Sequence, residues 1–253
     1  MIVLFFAGML ASALNSVAGG GSFISFPALL VLGIPPVNAN TTNTVALWPG
    51  SIASVGAYRR EFESNWQTLV PLLLVSLLGG IAGAMLLLNT PQATFARLLP
   101  FLLAMATLLL AFSRRITRVV RERKMGSSMS PRTANALVLM LQFFIGVYGG
   151  FFGGGIGIMM LAIMSLQGMD NLHAMNGVKT LLAVVINGLA VLIFVMAGTV
   201  YWPECLVLLG GAVVGGYGGA YLAQRFDSEQ VRKFIIGVGI LMTVYFFVRT
   251  YLA

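Results

Sequence analysis

Apolar residues along the chain form long runs without charge, separated by short polar or proline-containing breaks. A helix needs about 20 mostly apolar residues to cross a bilayer, and eight of the runs approach that length. The pattern therefore predicts eight membrane-spanning helices. They are expected at residues 2–17, 41–58, 67–88, 94–112, 135–152, 178–197, 204–223 and 230–250.

Two further apolar segments are too short to cross a bilayer alone. Residues 22–33 and 156–167 each directly follow a glycine cluster. Short apolar segments next to a backbone break are typical of re-entrant or broken helices. We expect each segment to be such a half-helix.

The two short segments occupy matching places because the chain repeats itself. The triplet Gly19–Gly21 matches Gly153–Gly155 at a shift of 134 residues, and later matches follow in the same order with a shift of up to 136. These later matches pair residues 33–39 with 168–174, Trp66 with Trp202, and 79–84 with 215–220. The sequence predicts an all-α polytopic membrane protein with two homologous transmembrane repeats, 1–112 and 134–253, joined by a basic loop at 113–133.

Composition and charge support a membrane protein. Of the 253 residues, 58% are hydrophobic and 9% charged, and the mean hydropathy is +0.94. A soluble domain carries about 25% charged residues, so a water-soluble globule is excluded. The net charge of +8 comes mostly from the segment between Arg114 and Arg132. A basic loop between apolar spans is explained by the positive-inside rule, and we expect no nucleic-acid partner.

The orientation of the repeats depends on how often each crosses the membrane. No Lys or Arg precedes the first apolar run, so we expect a retained helix there rather than a signal peptide. Four crossings per repeat would put both termini on the cytoplasmic side with the basic loop. Arg59, Arg60 and Arg249 agree with that arrangement, whereas the cations at 225–233 oppose it. A short segment that crosses fully would reverse the parity, so parallel and inverted repeats both remain open.

The glycine clusters are candidates for anion binding through the backbone. Unpaired backbone groups survive at membrane depth only inside protein or beside a wet cavity. Free N–H groups at a helix N-terminus can bind an anion. We therefore predict a substrate site that includes Gly19, Gly20, Gly21 and Ser22, together with Gly153, Gly154 and Gly155. The alternative is that these glycines only allow close helix packing, which is our interpretation of Gly79, Gly83, Gly215 and Gly219.

The first repeat carries a cluster of uncharged polar residues at Asn38 and 40–44. Amide and hydroxyl groups suit a solvated oxyanion, and we predict that Asn40, Thr41 and Asn43 line a cavity, with Asn15 facing it. The alternative is a turn that caps the following helix.

The matching region of the second repeat contains a lone lysine. Asn176, Lys179 and Thr180 are predicted to bind substrate, because an anion would supply the partner that a lysine inside the bilayer requires. The alternative is that Lys179 snorkels to the interface. Asp170 and His173 are candidates for proton coupling, and the alternatives are a solvated loop carboxylate and a structural histidine.

The sequence gives no support for enzymatic, redox or metal chemistry. There is one cysteine, Cys205, and one histidine, His173, so neither an internal disulfide nor a cluster of metal ligands is expected. No nucleophile and base have the arrangement that an intramembrane enzyme needs. We expect no enzyme activity and no cofactor.

Several motifs carry a family resemblance across most of the chain. They are Asn15 to Gly21, then Pro27 and Gly33 to Pro36 leading to the Asn/Thr cluster, and in the second repeat Gly149 to Gly155 with Asn176 to Thr180. In these motifs the chain resembles the TauE/SafE sulfite exporters. The resemblance implies a permease of small sulfur-containing anions in the bacterial inner membrane. Phe23 departs from the smaller or aliphatic residue that often stands there.

These observations favour a secondary transporter that exports sulfite, sulfoacetate or another organosulfonate by alternating access, with proton coupling as a hypothesis. The alternatives are an anion channel, which saturation and counterflow would distinguish, and a membrane assembly module that transports nothing. The substrate among this class, the direction, the coupling ion and the oligomeric state, including a homodimer, remain open.

Overall fold

A computed structural model describes residues 1–17, 20–57, 66–122, 131–166, 169, 172–222 and 228–252. The described residues form helices and no strand. The helices are α1 (Ile2–Val17), α2 (Ser22–Val31), α3 (Pro36–Ala57), α4 (Trp66–Leu88), α5 (Gln92–Glu122), α6 (Pro131–Phe151), α7 (Ile156–Leu166), α8 (Leu172–Met196), α9 (Trp202–Leu222) and α10 (Ser228–Tyr251).

Each apolar run in the sequence corresponds to one helix. Five helices, namely α4, α5, α6, α8 and α10, contain segments long and apolar enough to cross a membrane. The two short segments are the short apolar helices α2 and α7, as predicted. The total of eight spans remains a prediction.

The expectation of a loop at 113–133 is wrong for its first ten residues and for residues 131–133, which begin α6. Helix α5 continues through the first ten to Glu122. Those ten residues contain neither glycine nor proline, and arginine is a good helix former, so the helix does not stop where the apolar run ends. Residues 123–130 lie outside the described part of the chain.

Helices five places apart in chain order make corresponding contacts. The first five helices can therefore be matched one by one with the last five. Thus α1 packs along α9 while α6 packs along α4, and α2 touches α10 while α7 touches α5. Helix α3 contacts α8, and α5 contacts α10.

Glycines allow the closest of these contacts. A Cβ atom at Gly83 would overlap the carbonyl oxygen of Val147 in α6, and one at Gly215 would overlap that of Met9 in α1. Gly79 likewise lies against Phe143. The packing role predicted for these three glycines is confirmed, whereas the side-chain surroundings of Gly219 lie outside the described part.

Hydrogen bonds connect several helix ends that lie on one face of the molecule. We call it the terminal face. The N–H of Val37, at the start of α3, donates to Gln92 Oε1 (2.8 Å) at the start of α5. Asn38 Nδ2 donates to the carbonyl of Thr199 (2.8 Å), between α8 and α9. The terminal face therefore holds the starts of α3, α5 and α9 and the ends of α4 and α8.

The opposite helix ends form a second face, which we call the linker face. Arg232 Nη1, near the start of α10, donates to Ser113 Oγ (3.2 Å) in the far part of α5. Because α3 starts on the terminal face and α8 ends there, these two helices run in opposite directions. The same holds for α4 with α9 and for α5 with α10.

Helices α1 and α2 form a hairpin that enters from the terminal face. Phe5 lies against Gly211 and Met9 against Gly215, so α1 runs parallel to α9. Gly21 lies against Ala11, which shows that the chain turns back alongside α1. Helix α2 then leads back to the start of α3.

Helices α6 and α7 form the corresponding hairpin from the linker face. Gly79 lies against Phe143 and Gly83 against Val147, so α6 runs parallel to α4. Helix α7 then leads to the start of α8. The glycine-containing tips of the two hairpins meet in the interior of the molecule.

Candidate functional site

A cavity of about 120 Å³ lies between α3, α8 and the two hairpin tips. Its size is sufficient for several water molecules or a small anion. Its wall is formed by residues of both halves of the chain, and the polar or glycine residues among them are Ser12, Asn15, Gly20, Ser22, Asn43, Thr44, Gly50, Ser51, Ser54, Gly153, Gly154, Gly155, Gly157, Lys179, Thr180 and Asn187.

Trp48 marks the point where α3 and α8 cross beside the cavity. Its indole Nε1 donates to the carbonyl oxygen of Val184 (3.0 Å), near the middle of α8. Gly188 lies against the ring, where a Cβ atom would make an ordinary contact 3.5 Å from Trp48 Cζ2. The cavity is therefore near the middle of both helices rather than at a helix end.

The second-half wall presents free backbone donors. Among the described residues, the N–H groups of Gly154, Gly155, Ile156 and Gly157 have no hydrogen-bond acceptor. Gly153 and Gly155 have φ values of +81° and +77°, which allow the chain to turn sharply into α7. The unpaired amides and the positive end of the α7 dipole thus lie at the cavity wall.

Lys179 lies in the same wall and is buried, with 8% of its surface exposed. Its Nζ donates to Asn176 Oδ1 (2.8 Å), one turn earlier in α8. Its side chain passes Gly157, where a Cβ atom would come within 3.1 Å of Lys179 Cδ. Within the described ranges no carboxylate pairs with this ammonium group, so a cation and four N–H donors share one wall.

The first-half wall is polar but uncharged. The N–H of Gly21, at the start of α2, donates to Asn15 Oδ1 (2.7 Å). Asn43 Nδ2 donates to Ser22 Oγ (3.3 Å), while Asn43 Oδ1 is buried and has no partner in the described part of the chain. Asn43 therefore lines the cavity and carries a buried amide oxygen without a partner in the described part of the chain.

The two walls use positions that the predicted repeat makes equivalent. At a shift of 136 residues, Asn43 and Thr44 correspond to Lys179 and Thr180. Thr44 Oγ1 donates to the carbonyl of Asn40 (2.9 Å), and Thr180 Oγ1 makes the same bond to Asn176 (2.8 Å). The two threonines thus make matching hydrogen bonds. The preceding residues differ in charge, since Asn43 is neutral and Lys179 is positively charged.

Most of the residues predicted from the sequence to bind substrate lie in the cavity wall. They are Asn15, Gly20, Ser22, Asn43, Gly153, Gly154, Gly155, Lys179 and Thr180. Gly21 is adjacent to the wall, and its N–H is already bonded to Asn15. Sequence reasoning missed Ser12, Trp48, Ser51 and Ser54, although the shift of 136 would have paired Ser51 with Asn187.

Three predicted ligands do not line the cavity. Asn40 Nδ2 donates to the carbonyl of Phe151 (2.9 Å) at the end of α6. Thr41 Oγ1 donates to the carbonyl of Thr199 (3.1 Å) on the terminal face. Asn176 Oδ1 accepts a hydrogen bond from Lys179 Nζ (2.8 Å) and is not among the residues of the cavity wall. The cavity prediction is corrected for these residues, because helix ends buried inside the protein need side-chain partners for their backbone.

Three further residues predicted from the sequence lie wholly or partly outside the described part of the chain. Gly19 and Asp170 lie outside the described residues. His173 belongs to the first turn of α8, but its side chain is outside the described part. Within the described ranges no group of His, Cys, Asp or Glu could hold a metal ion, and Cys205 is a buried free thiol.

An all-helical membrane protein with a polar interior cavity and a buried cation has the architecture of a transporter. Comparison with known proteins identifies the family. The family model described as sulfite exporter TauE/SafE matches residues 4–246. The chain therefore belongs to the TauE/SafE sulfite exporter family, a family of membrane transporters.

Curated relatives cover almost the whole chain. A probable membrane transporter protein of Haemophilus influenzae is 28% identical over 96% of this chain and 92% of its own length. One from Sinorhizobium, ORF9, is 29% identical over 95% and 90%, and YfcA of Escherichia coli K12 is 29% identical over 95% and 87%. No solved structure matches significantly. The names of these relatives are consistent with a protein that is not an enzyme.

Proposed function

We propose that the protein is a secondary transporter that exports a small sulfur-containing anion, such as sulfite or an organosulfonate, by alternating access. The observation that carries the proposal is the second-half wall, where Lys179 and four unpaired N–H groups surround one interior cavity. Among the described residues no carboxylate pairs with this ammonium group. A buried charge without a partner is costly, and an anionic substrate would neutralise it.

The arrangement of the helices supports alternating access between two inverted repeats. Exchanging the two halves preserves the principal contacts, and equivalent helices run in opposite directions. Inverted repeats with a binding site at their interface and broken helices beside it are typical of secondary transporters. Rocking of one repeat against the other about the α3–α8 crossing would expose the cavity to each side in turn.

The distribution of cations supports a cytoplasmic linker face in the bacterial inner membrane. Every Lys and Arg except Arg97, Lys179 and Arg249 belongs to helix ends on that face or to the sequence segments between them. The positive-inside rule then orients this face toward the cytoplasm. Both chain termini would lie on the periplasmic side, which replaces the four-crossing arrangement considered from the sequence.

Reconstitution into liposomes tests the function. We expect sulfite, or one of sulfoacetate and taurine, to show saturable flux and to drive counterflow of labelled substrate, with sulfate as the comparison anion. Saturable counterflow is the expected behaviour of a carrier. Flux without saturation or counterflow would indicate a channel, and the absence of any flux or binding across the panel would overturn the proposal.

Proton coupling is part of the proposal and needs its own measurement. Asp170 and His173 precede Lys179 in the chain and are the candidate proton carriers. Imposing a pH gradient of either sign on the liposomes should change the direction or the rate of flux. A rate that ignores the gradient would remove proton coupling and leave anion transport intact.

A further inference from the structure

We infer that the cavity selects singly charged sulfonates that carry a small neutral, polar tail. In this arrangement the sulfonate lies at the α7 end with Lys179, and the tail lies toward Asn43. The inference rests on the proposed function, because it concerns which anion occupies the same cavity.

The charge of the cavity wall supports a single negative charge. Among the described residues that line the cavity, Lys179 is charged and the others are neutral. One anionic group would therefore be balanced by one cation and by the N–H donors of residues 154–157. A second anionic group would remain unbalanced in a buried site, where an unpaired charge is strongly disfavoured.

The opposite end of the cavity is suited to a neutral polar group. Asn43 is 3% exposed, and its Oδ1 has no partner in the described part of the chain. Ser22 and Thr44 line the same end. The N–H of Gly21 at this end is already bonded to Asn15 Oδ1. A hydroxyl group on the substrate would give the Asn43 amide a hydrogen-bond partner.

The two ends of the cavity share one equivalent hydrogen bond, Thr44 to Asn40 and Thr180 to Asn176, and differ in charge. Asn43 and Lys179 occupy equivalent positions, each beside the first turn of a short helix. The chain thus has two related half-sites, of which one binds charge and the other remains neutral. A substrate with one charged and one neutral end fits this asymmetry.

Competition with counterflow in the wild-type protein tests the inference. The probes are 2-hydroxyethanesulfonate, ethanesulfonate and the dianion sulfoacetate. We expect the inhibition constant of 2-hydroxyethanesulfonate to be lower than that of sulfoacetate by about tenfold or more. Ethanesulfonate, which lacks the hydroxyl, should bind more weakly than its hydroxylated analogue. Equal or stronger inhibition by sulfoacetate would overturn the inference while anion transport still stood, whereas no inhibition by any probe would contradict the proposed function.

Substituting Asn43 tests which end carries the selectivity. Asn43→Lys would give both ends a cation, and we expect the preference to move toward sulfoacetate by about tenfold. The matched variant Asn43→Gln keeps the end neutral and should retain the wild-type order of preference. A folded Asn43→Lys protein with unchanged preference would overturn the inference. If size-exclusion chromatography shows that Asn43→Lys does not fold, Thr44→Lys at the same end takes its place, and the wild-type competition remains decisive.

Discussion

At the residue scale, Lys179 shows how a charge can be retained inside a membrane protein. The sequence identified it as unusual because no other lysine occurs between residues 125 and 232. It left open whether the side chain snorkels to an interface or binds a ligand. The structure places it in the cavity wall, bonded only to the neutral amide of Asn176. One N–H of three is used in that bond, so the ammonium group has donors left for a substrate.

Replacing Lys179 tests this role. Lys179→Ala removes the one cation of the cavity, and a charge-assisted hydrogen bond to an anion contributes about 1.5–3 kcal/mol. We therefore expect substrate affinity to fall roughly tenfold to a hundredfold in a binding or counterflow assay.

The control is the exposed Lys233, whose ammonium group lies 3.2 Å from Glu229 Oε1. Lys233→Ala should leave affinity within about twofold of wild type, because exposed ion pairs contribute little. Unchanged affinity in Lys179→Ala would mean that the anion does not bind at this wall.

The Asn/Thr cluster shows where residue-level prediction stops. Its composition indicated buried polar contacts, and Asn43 and Thr44 do line the cavity. Thr42 instead accepts a hydrogen bond from the N–H of Tyr201 (3.0 Å), and Asn38 bonds to Thr199. Neighbouring residues on a helix point in different directions, so composition alone could not separate the ligands from the residues that hold helix ends together.

At the scale of the element, hydrophobic runs and glycine breaks predicted all the helices in the described ranges. The starts of α3 and α8 were missed because polar residues interrupt the apolar pattern in their first two turns. Polar side chains in these turns make hydrogen bonds to other elements or to later turns of the same helix. A hydropathy pattern cannot predict those bonds. The packing glycines were predictable, because small residues at a spacing of four on an apolar helix are a recurrent contact motif.

Gly215 gives a test of the α1–α9 contact. Any side chain there would overlap the carbonyl oxygen of Met9, and overpacking of this kind costs about 1–3 kcal/mol. We expect Gly215→Ala to lower the melting temperature of the protein in detergent.

Gly237 in α10 provides the matched substitution, since a Cβ atom there would meet nothing within 4 Å. Gly237→Ala should be neutral or stabilising by up to about 1 kcal/mol, because alanine favours helix over glycine. Equal melting temperatures for the two variants would argue against a tight α1–α9 contact.

At the scale of the whole molecule, helices five places apart in chain order run in opposite directions, which favours inverted over parallel repeats in the predicted duplication. The hydrogen bonds that join α3 to Gln92 and Thr199, and α10 to Ser113, determine which helix ends share a face. The helix ends on the linker face and the sequence segments between them contain twelve of the fifteen Lys and Arg residues. This distribution is the reason for orienting that face toward the cytoplasm.

Cysteine accessibility tests this orientation. In a Cys205→Ser background, Asn89→Cys lies on the terminal face and Arg115→Cys in the extension of α5, and both positions are exposed. We expect a membrane-impermeant maleimide added to spheroplasts to label Asn89→Cys and to label Arg115→Cys only after the membrane is permeabilised. The reverse pattern would invert the proposed topology, and labelling of both from one side would contradict the assignment of the two faces.

The sequence by itself determined that the chain is a helical membrane protein, where its short helices lie, and which lysine is exceptional. These properties follow from local composition and periodicity, because a bilayer demands apolar, internally hydrogen-bonded segments of a set length. Only the tertiary structure decided which of the polar residues face the common cavity, and that equivalent helices run in opposite directions. Both depend on contacts between residues more than a hundred positions apart, such as Trp48 with Val184, and no local pattern encodes which distant helix a given face will meet.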